Sequence, residues 1–198
     1  VILKNGRKFT LDLNKTSGNE KRVYLPHPEI FRSVKKNNRV LIDDGKIILN
    51  INKVSSEKIE TEIINGGKIS NRKGINIPEN FIKMSPLTKK DLEDVRLCLD
   101  LGLDYVALSF VQTAQDVIAL KKIVGDKTGI MAKFEKPLAI KRMEEILKYS
   151  EAAMVARGDL GVEMPPEEVP IIQKRIVQAC REHGKPVVVA TQMLDSMI

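Results

Sequence analysis

The chain has 198 residues, with 33 Lys or Arg against 26 Asp or Glu, and a formal charge of +7 at pH 7. No apolar run approaches the roughly 18–20 residues that span a bilayer, so we expect no membrane partner. Cys98 and Cys180 lie far apart, which favours unpaired thiols in a reducing, cytoplasmic compartment over a disulfide framework.

The basic excess is confined to the first third of the chain. Residues 1–77 hold 16 Lys or Arg and 8 Asp or Glu, whereas residues 78–198 are close to neutral. A charge asymmetry of this kind indicates two domains, and we predict them over 1–79 and 80–198. A basic segment is also the mark of a nucleic-acid-binding module, but the aromatic share of 4% offers few stacking surfaces.

The first region predicts short strands and no helix of any length. Lys8–Leu13 and Lys58–Ile64 alternate apolar and polar residues, and 39–42 and 46–51 flank Asp43-Asp44-Gly45, a strong hairpin signal. We therefore predict a small antiparallel β-barrel or sandwich here.

The second region alternates helical patterns with continuous apolar strands, which is typical of a parallel α/β sheet. The expected strands are 105–110, 130–135, 152–156 and 187–190. Helices are expected from Thr88 to about Leu101, from Thr113 to Gly125, from Pro137, and over 165–183 with a break at Pro170. Four strands could form an open doubly wound sheet, but not a complete (β/α)8 barrel of about 250 residues.

Polar residues follow every one of these strands, at the edge where parallel α/β proteins carry their active sites. They are Ser109, then Lys133 and Glu135, then Arg157 and Asp159, and finally Thr191 and Gln192. Lys133 and Glu135 are two residues apart on a strand, so both should point to one side of the sheet, as Arg157 and Asp159 would if their strand continued through Gly158.

The oxygen-only pair Glu135 and Asp159 suits a hard divalent cation such as Mg²⁺. Lys133 offers a charge for a phosphoryl group or an oxyanion, Gly158 permits close backbone approach, and Thr191 offers a hydroxyl. The set indicates phosphoryl transfer or enolate chemistry. Taken singly, Lys133–Glu135 could be a structural ion pair, 157–159 a turn with a local salt bridge, and Thr191 a helix N-cap.

At this point several segments are similar to one family. MVARGDLGVE (154–163), ATQML (190–194), AKFEKP (132–137), LIDDGKI (41–47), NGGKISNRKGINIP (65–78) and ALSFVQTAQDV (107–117) resemble pyruvate kinases in order and spacing. The resemblance covers essentially the whole chain.

The resemblance implies a role for each candidate residue. Lys133 would stabilise the phosphoryl group passing from phosphoenolpyruvate to ADP, and Glu135 and Asp159 would bind Mg²⁺ or Mn²⁺. The Gly158 backbone would hold the substrate carboxylate, and Thr191 would lie near the enolate carbon that is protonated to give pyruvate. Two further contacts are implied, from Ser109 to substrate and from Lys73 to nucleotide.

The implied fold is α/β, with about half of a (β/α)8 TIM barrel and an N-terminal small antiparallel β-barrel that acts as a lid. The resemblance also suggests that the chain begins inside that lid and ends soon after Thr191. The family's K⁺ ligands, its other barrel strands and most contacts of its homotetramer would then lie elsewhere. Such a fragment is expected to be inactive alone, because a partial barrel leaves unpaired strand edges.

Two other functions stay open at this stage. One is a barrel lyase that handles phosphoenolpyruvate or pyruvate through the same metal and enolate logic but binds no nucleotide. The other is a noncatalytic module in which residues 1–77 bind nucleic acid. The kinase interpretation requires no nucleic acid as a partner, because ADP and ATP account for the basic surface.

Overall fold

The computed structural model describes residues 1–78 and 87–191. The chain divides into two compact units, 1–84 and 85–198, and each is described by itself. The boundary predicted between residues 79 and 80 lies outside the described residues. Within the described ranges, no helix is both long enough and apolar enough to cross a membrane.

The first unit is built on a six-stranded sheet. Its elements in chain order are β1 (Ile2–Leu3), β2 (Lys8–Asp12), β3 (Arg22–Tyr24), α1 (Pro28–Ser33), β4 (Arg39–Ile42), β5 (Ile47–Val54), β6 (Lys58–Asn65), β7 (Gly67–Lys68) and β8 (Ile75–Asn76). The large sheet has the order β3-β2-β6-β5-β4-β8, and β1 pairs with β7 in a two-stranded ribbon. This pairing is that of an open sheet, and closure into a barrel stays a prediction.

Two predictions about this unit are corrected. The sheet is not wholly antiparallel, because β3 lies parallel to β2, where an ion pair between Arg22 and Asp12 fixes the returning chain. A helix is also present, since α1 begins with Pro28 in its first turn and buries Ile30 and Phe31. Its six residues are too few to show helical periodicity in the sequence.

The hairpin predicted at Asp43-Asp44-Gly45 is confirmed. Strands β4 and β5 pair antiparallel on either side of it, with Ile42 opposite Ile47. Asp43, Asp44 and Gly45 all have positive φ, a conformation that Asp tolerates better than most residues and that Gly adopts freely.

The second unit alternates strands and helices as predicted. Its elements are α2 (Lys89–Asp100), β9 (Tyr105–Leu108), α3 (Ala114–Val124), β10 (Gly129–Phe134), α4 (Pro137–Lys141), α5 (Met143–Tyr149), β11 (Ala152–Ala156), α6 (Arg157–Glu163), a 3-10 turn (Pro166–Glu168), α7 (Val169–Glu182) and β12 (Val187–Ala190). The four strands are parallel in the order β12-β11-β10-β9. Their order follows the chain without the reversal of a doubly wound sheet, as in a segment of a (β/α)8 barrel.

Local signals set the helix ends in this unit. Thr88 caps α2 by accepting the Asp91 amide, while the Asp91 carboxylate accepts the Thr88 amide at 2.7 Å. The break predicted at Pro170 falls slightly earlier, at the 3-10 turn, because Pro170 lies in the first turn of α7, where it needs no amide donor.

An apolar core of described residues holds the four strands against their helices. Ile130, Phe134 and Val155 are fully buried on the sheet, and Ile146 and Ile176 meet them from α5 and α7. Cys180 is buried in the same core, and both cysteines are unpaired. The packing fixes the strands rigidly, so that the side chains beyond their ends have defined positions.

Candidate functional site

Three predicted site residues form one chain of contacts at the carboxyl edge of the parallel sheet. Lys133 Nζ lies 2.5 Å from Glu135 Oε1 and donates to Ser109 Oγ at 3.0 Å. The predicted placement of Lys133 and Glu135 on one side of the sheet is therefore confirmed. The Glu135 side chain is 2% exposed, whereas that of Lys133 is 22% exposed. The ammonium group thus remains accessible while the carboxyl group is fixed in place.

The second oxygen of Glu135 is held by the backbone of the neighbouring strand end. Phe110 N donates to Glu135 Oε2 at 2.9 Å, and Phe110 has a φ of 56°. A positive φ is unusual for an aromatic residue, and such strain concentrates at functional sites. The predicted strand 105–110 accordingly ends at Leu108, because the backbone turns to present the Phe110 amide to the carboxyl group.

Arg157, Gly158 and Asp159 do not continue β11, so the condition under which Arg157 and Asp159 would share one side of the sheet is not met. Helix α6 begins at Arg157, immediately after the strand. Residues two apart on a helix point in very different directions, so Arg157 and Asp159 do not share a side. Asp159 is exposed in the first turn, at the same edge of the sheet as Glu135.

Thr191 binds the first turn of α6 from the end of the next strand. Its Oγ1 accepts the Gly158 amide at 2.9 Å, and its φ of 64° is rare for a β-branched residue. Thr191 therefore satisfies an amide of a different helix from the one expected to follow it. Gln192 and the helix predicted after Thr191 lie outside the described residues.

Lys136 and Glu163 were not predicted from the sequence. Lys136 Nζ forms an ion pair with Glu163 Oε1 and lies 5.8 Å from the centre of the Phe110 ring. Lys136 directly follows Glu135, and Glu163 is one helical turn beyond Asp159. Their closeness in sequence to the predicted metal ligands Glu135 and Asp159 was the one signal that could have pointed to them. Only the fold brings the two side chains together.

Lys73, the predicted nucleotide contact, lies in the first unit. Its Nζ is 2.9 Å from Asp43 Oδ1, and Lys46 approaches the same carboxyl group at 3.4 Å. The hydrogen bond from Lys73 holds the pKa of Asp43 below its ordinary value. These residues line an open groove of about 440 Å³ together with Lys68 and Ser70. The structure thus adds neighbours to Lys73 that the motif alone did not suggest.

The carboxyl edge offers oxygen donors of the kind that a hard divalent cation prefers. Glu135 and Asp159 supply carboxylate oxygens only, and no group of three or more His, Cys, Asp or Glu suited to a metal occurs in residues 1–78 and 87–191. Mg²⁺ is commonly held by one or two carboxylates, with substrate oxygens and water completing its shell. The residues present therefore fit Mg²⁺ or Mn²⁺ bound jointly with a substrate.

The fold and the site define a class: an α/β protein of the (β/α)8-barrel type with Lys, Glu and Asp at the carboxyl ends of its strands. Comparison with known proteins specifies the family. The family model described as "Pyruvate kinase, barrel domain" matches residues 1–198. The chain therefore belongs to the pyruvate kinase family.

Individual relatives agree with the family match. The chain is 49% identical over 198 residues to a pyruvate kinase of Methylorubrum extorquens, covering 100% of this chain and 41% of that protein. It is 53% identical over 174 residues to one of Agrobacterium vitis, covering 88% of this chain and 36% of that protein. A pyruvate kinase of Corynebacterium glutamicum is 42% identical over 201 residues, covering 100% of this chain. The chain spans 42% of that last relative's length.

Proposed function

We propose that these residues belong to an enzyme that transfers the phosphoryl group of phosphoenolpyruvate to ADP, giving pyruvate and ATP in the last step of glycolysis. The observation that carries the proposal is the contact chain Ser109–Lys133–Glu135 at the carboxyl edge of a sheet whose chain belongs to the pyruvate kinase family. Family membership also favours this reaction over lyase chemistry and over a nucleic-acid-binding module.

Lys133 is the residue assigned to the phosphoryl group in transit. Its ammonium group is partly exposed and is held between Ser109 Oγ and Glu135 Oε1. A fixed positive charge stabilises the negative charge that spreads over the transferring oxygens, and it needs no reorganisation during the reaction. Ser109 is proposed to orient this lysine and to contact the substrate.

Glu135 and Asp159 are proposed to hold the divalent cation, Mg²⁺ or Mn²⁺. When bound, the cation neutralises charge on the phosphoryl and enolate oxygens. Glu135 is held in place by Lys133 and by the Phe110 amide, so its position is set before the substrate arrives. K⁺ is the second proposed cofactor.

Gly158 and Thr191 are assigned to the organic part of the substrate. The Gly158 amide is proposed to bind the substrate carboxylate, and the Thr191 hydroxyl to act near the enolate carbon that receives a proton. The two groups contact each other at 2.9 Å. Substrate binding is therefore expected to exchange the Thr191 hydroxyl for a carboxylate oxygen at this amide.

The first unit is proposed to be a small β-barrel lid domain over 1–79, with a partial barrel domain over 80–198. The groove of the first unit, which is lined by Lys46, Lys68 and Lys73, supports a role in binding the phosphates of ADP or ATP. We further propose that the natural enzyme is a cytoplasmic homotetramer with neither nucleic acid nor membrane as a partner.

The test is a coupled assay on the natural full-length protein that includes these residues. Pyruvate is followed through lactate dehydrogenase, with ATP measured separately. Formation of pyruvate and ATP in equal amounts, dependent on both Mg²⁺ and ADP, supports the proposal, whereas pyruvate formed without ADP contradicts it. The 198-residue chain assayed alone is expected to be inactive, because within residues 1–78 and 87–191 no further strand pairs with the outer edges of β9 and β12.

A further inference from the structure

A buried ion pair joins the two elements that carry the proposed metal ligands. Lys136 follows β10 and is in contact with Glu163 at the last position of α6. The Lys136 side chain is 16% exposed and that of Glu163 only 1%. A charge so deeply buried is costly unless it is paired, so this contact constrains both elements strongly.

Lys136 directly follows Glu135 in the sequence, and it is also connected to Glu135 through Phe110. Lys136 Nζ lies 5.8 Å from the centre of the Phe110 ring, and the Phe110 amide donates to Glu135 Oε2. A cation over an aromatic face is attracted to it, so the contact helps to hold the Phe110 ring in place. The groups in contact are therefore Glu163, Lys136, Phe110 and Glu135, in that order.

On α6, Asp159 and Glu163 are four residues apart and lie on the same side of the helix. Anchoring Glu163 consequently fixes the rotation of the helix that presents Asp159. A divalent cation such as Mg²⁺ requires its oxygen ligands at about 2.0–2.1 Å, so a small displacement of either carboxylate weakens binding.

We propose that Lys136 and Glu163 are positioning residues that hold Glu135 and Asp159 at the separation needed to share one divalent cation. The inference rests on the proposed function, since it takes Glu135 and Asp159 as the metal ligands. Neither Lys136 nor Glu163 contacts the cation in this proposal. Their effect is transmitted through the end of β10 and the orientation of α6.

The experiment measures Mn²⁺ binding to the natural full-length protein by electron paramagnetic resonance, without substrate. Lys136→Met and Glu163→Gln are each expected to raise the Mn²⁺ dissociation constant by about 10-fold or more, the scale typical of residues that orient metal ligands. Lys141→Met and Glu167→Gln are matched controls, because both residues are exposed on elements adjoining the pair, and they should bind Mn²⁺ like the wild type.

The double variant Lys136→Met/Glu163→Leu separates positioning from folding. Apolar replacement of both partners often preserves stability, whereas removal of one leaves a buried charge. The proposal requires that this variant fold and still bind Mn²⁺ about 10-fold more weakly. Wild-type Mn²⁺ affinity in the double variant, or in both single variants, would overturn it. If the wild type is active and binds Mn²⁺, such a result contradicts only the positioning role; if the wild type does neither, the proposed function itself has failed.

Discussion

The two edges of the four-stranded parallel sheet use similar charged residues in different ways. At the amino edge, Lys121 Nζ meets Glu151 Oε1 at 2.8 Å, and Glu151 Oε2 accepts the Ile130 amide. At the carboxyl edge, Lys133 meets Glu135, whose other oxygen accepts the Phe110 amide. Each edge thus has a Lys–Glu pair in which the carboxylate also binds the backbone of a neighbouring element.

The difference lies in burial and in backbone strain. Glu151 is 38% exposed and Lys121 34%, whereas Glu135 is 2% exposed. Phe110 and Thr191, which have positive φ, both follow strands at the carboxyl edge. A solvent-exposed ion pair on unstrained backbone indicates a contact that only stabilises the fold. A buried carboxylate held by strained backbone indicates preorganisation for a ligand. Residue types alone do not distinguish these roles.

The largest effect is expected from Lys133→Met in the natural full-length protein. Removing the fixed charge at the proposed phosphoryl position should lower kcat by about 1,000-fold, as for other preorganised charge-stabilising groups. The rate is measured in the coupled pyruvate assay, and circular dichroism establishes that the variant is folded. Lys141→Met, at an exposed position, is the matched control. A kcat within tenfold of the wild type would remove Lys133 from the transfer step.

Glu135→Gln should chiefly change the metal requirement. The amide oxygen can still accept the Phe110 N–H, so the local backbone should be retained, while one anionic ligand is lost. We expect the Mg²⁺ concentration for half-maximal rate to rise by about 100-fold or more, because losing a direct ligand should cost at least as much as losing a group that orients one. Glu151→Gln at the amino edge should leave this concentration unchanged. An equal Mg²⁺ requirement in both variants would contradict the proposed contrast between the edges.

Thr191→Val tests the strained end of β12. The variant keeps the side-chain shape but cannot accept the Gly158 amide or exchange a proton. Loss of a group that handles a proton typically costs about 100-fold or more, so exchange of pyruvate methyl protons with deuterated water should slow by that factor. Proton nuclear magnetic resonance follows this exchange, and Thr191→Ser should restore most of it. Equal exchange rates for the valine and serine variants would exclude a role for the hydroxyl.

Strand positions were the part of the fold that sequence predicted best. Strands β11 and β12 were predicted with the bounds they have, because short apolar runs between turn residues leave few alternatives. Helix α6 was missed, because Arg157–Glu163 contains two glycines and no apolar repeat, and its helical state depends on packing against α7.

The candidate site divides in the same way. Lys133 and Glu135 could be placed together from the strand period alone, since residues two apart share a side. The ion pair of Lys136 with Glu163 joins residues 27 positions apart, and the Phe110 amide reaches Glu135 only because its φ is positive. Such contacts depend on tertiary geometry, which no local pattern encodes.

The smallest effect is expected at the amino edge, where Lys121→Met should cost up to about 1 kcal/mol of unfolding free energy at pH 7. Burial raises the pKa of Glu151, but the hydrogen bonds from Lys121 and the Ile130 amide outweigh it, so the pKa lies below its ordinary value of 4.5. A lowered folded-state pKa stabilises the fold above the unfolded value, and this contribution is lost as pH falls through the folded value. The stability difference between the wild type and Lys121→Met should therefore begin to narrow as the pH falls below 4.5. Urea unfolding at pH 7 and pH 4 measures the gap, and pyruvate formation at pH 7 should be unchanged, because this pair faces away from the carboxyl edge. A difference in unfolding free energy that is larger at pH 4 than at pH 7, or a large loss of activity, would show that the ion pair at the amino edge does more than stabilise the fold.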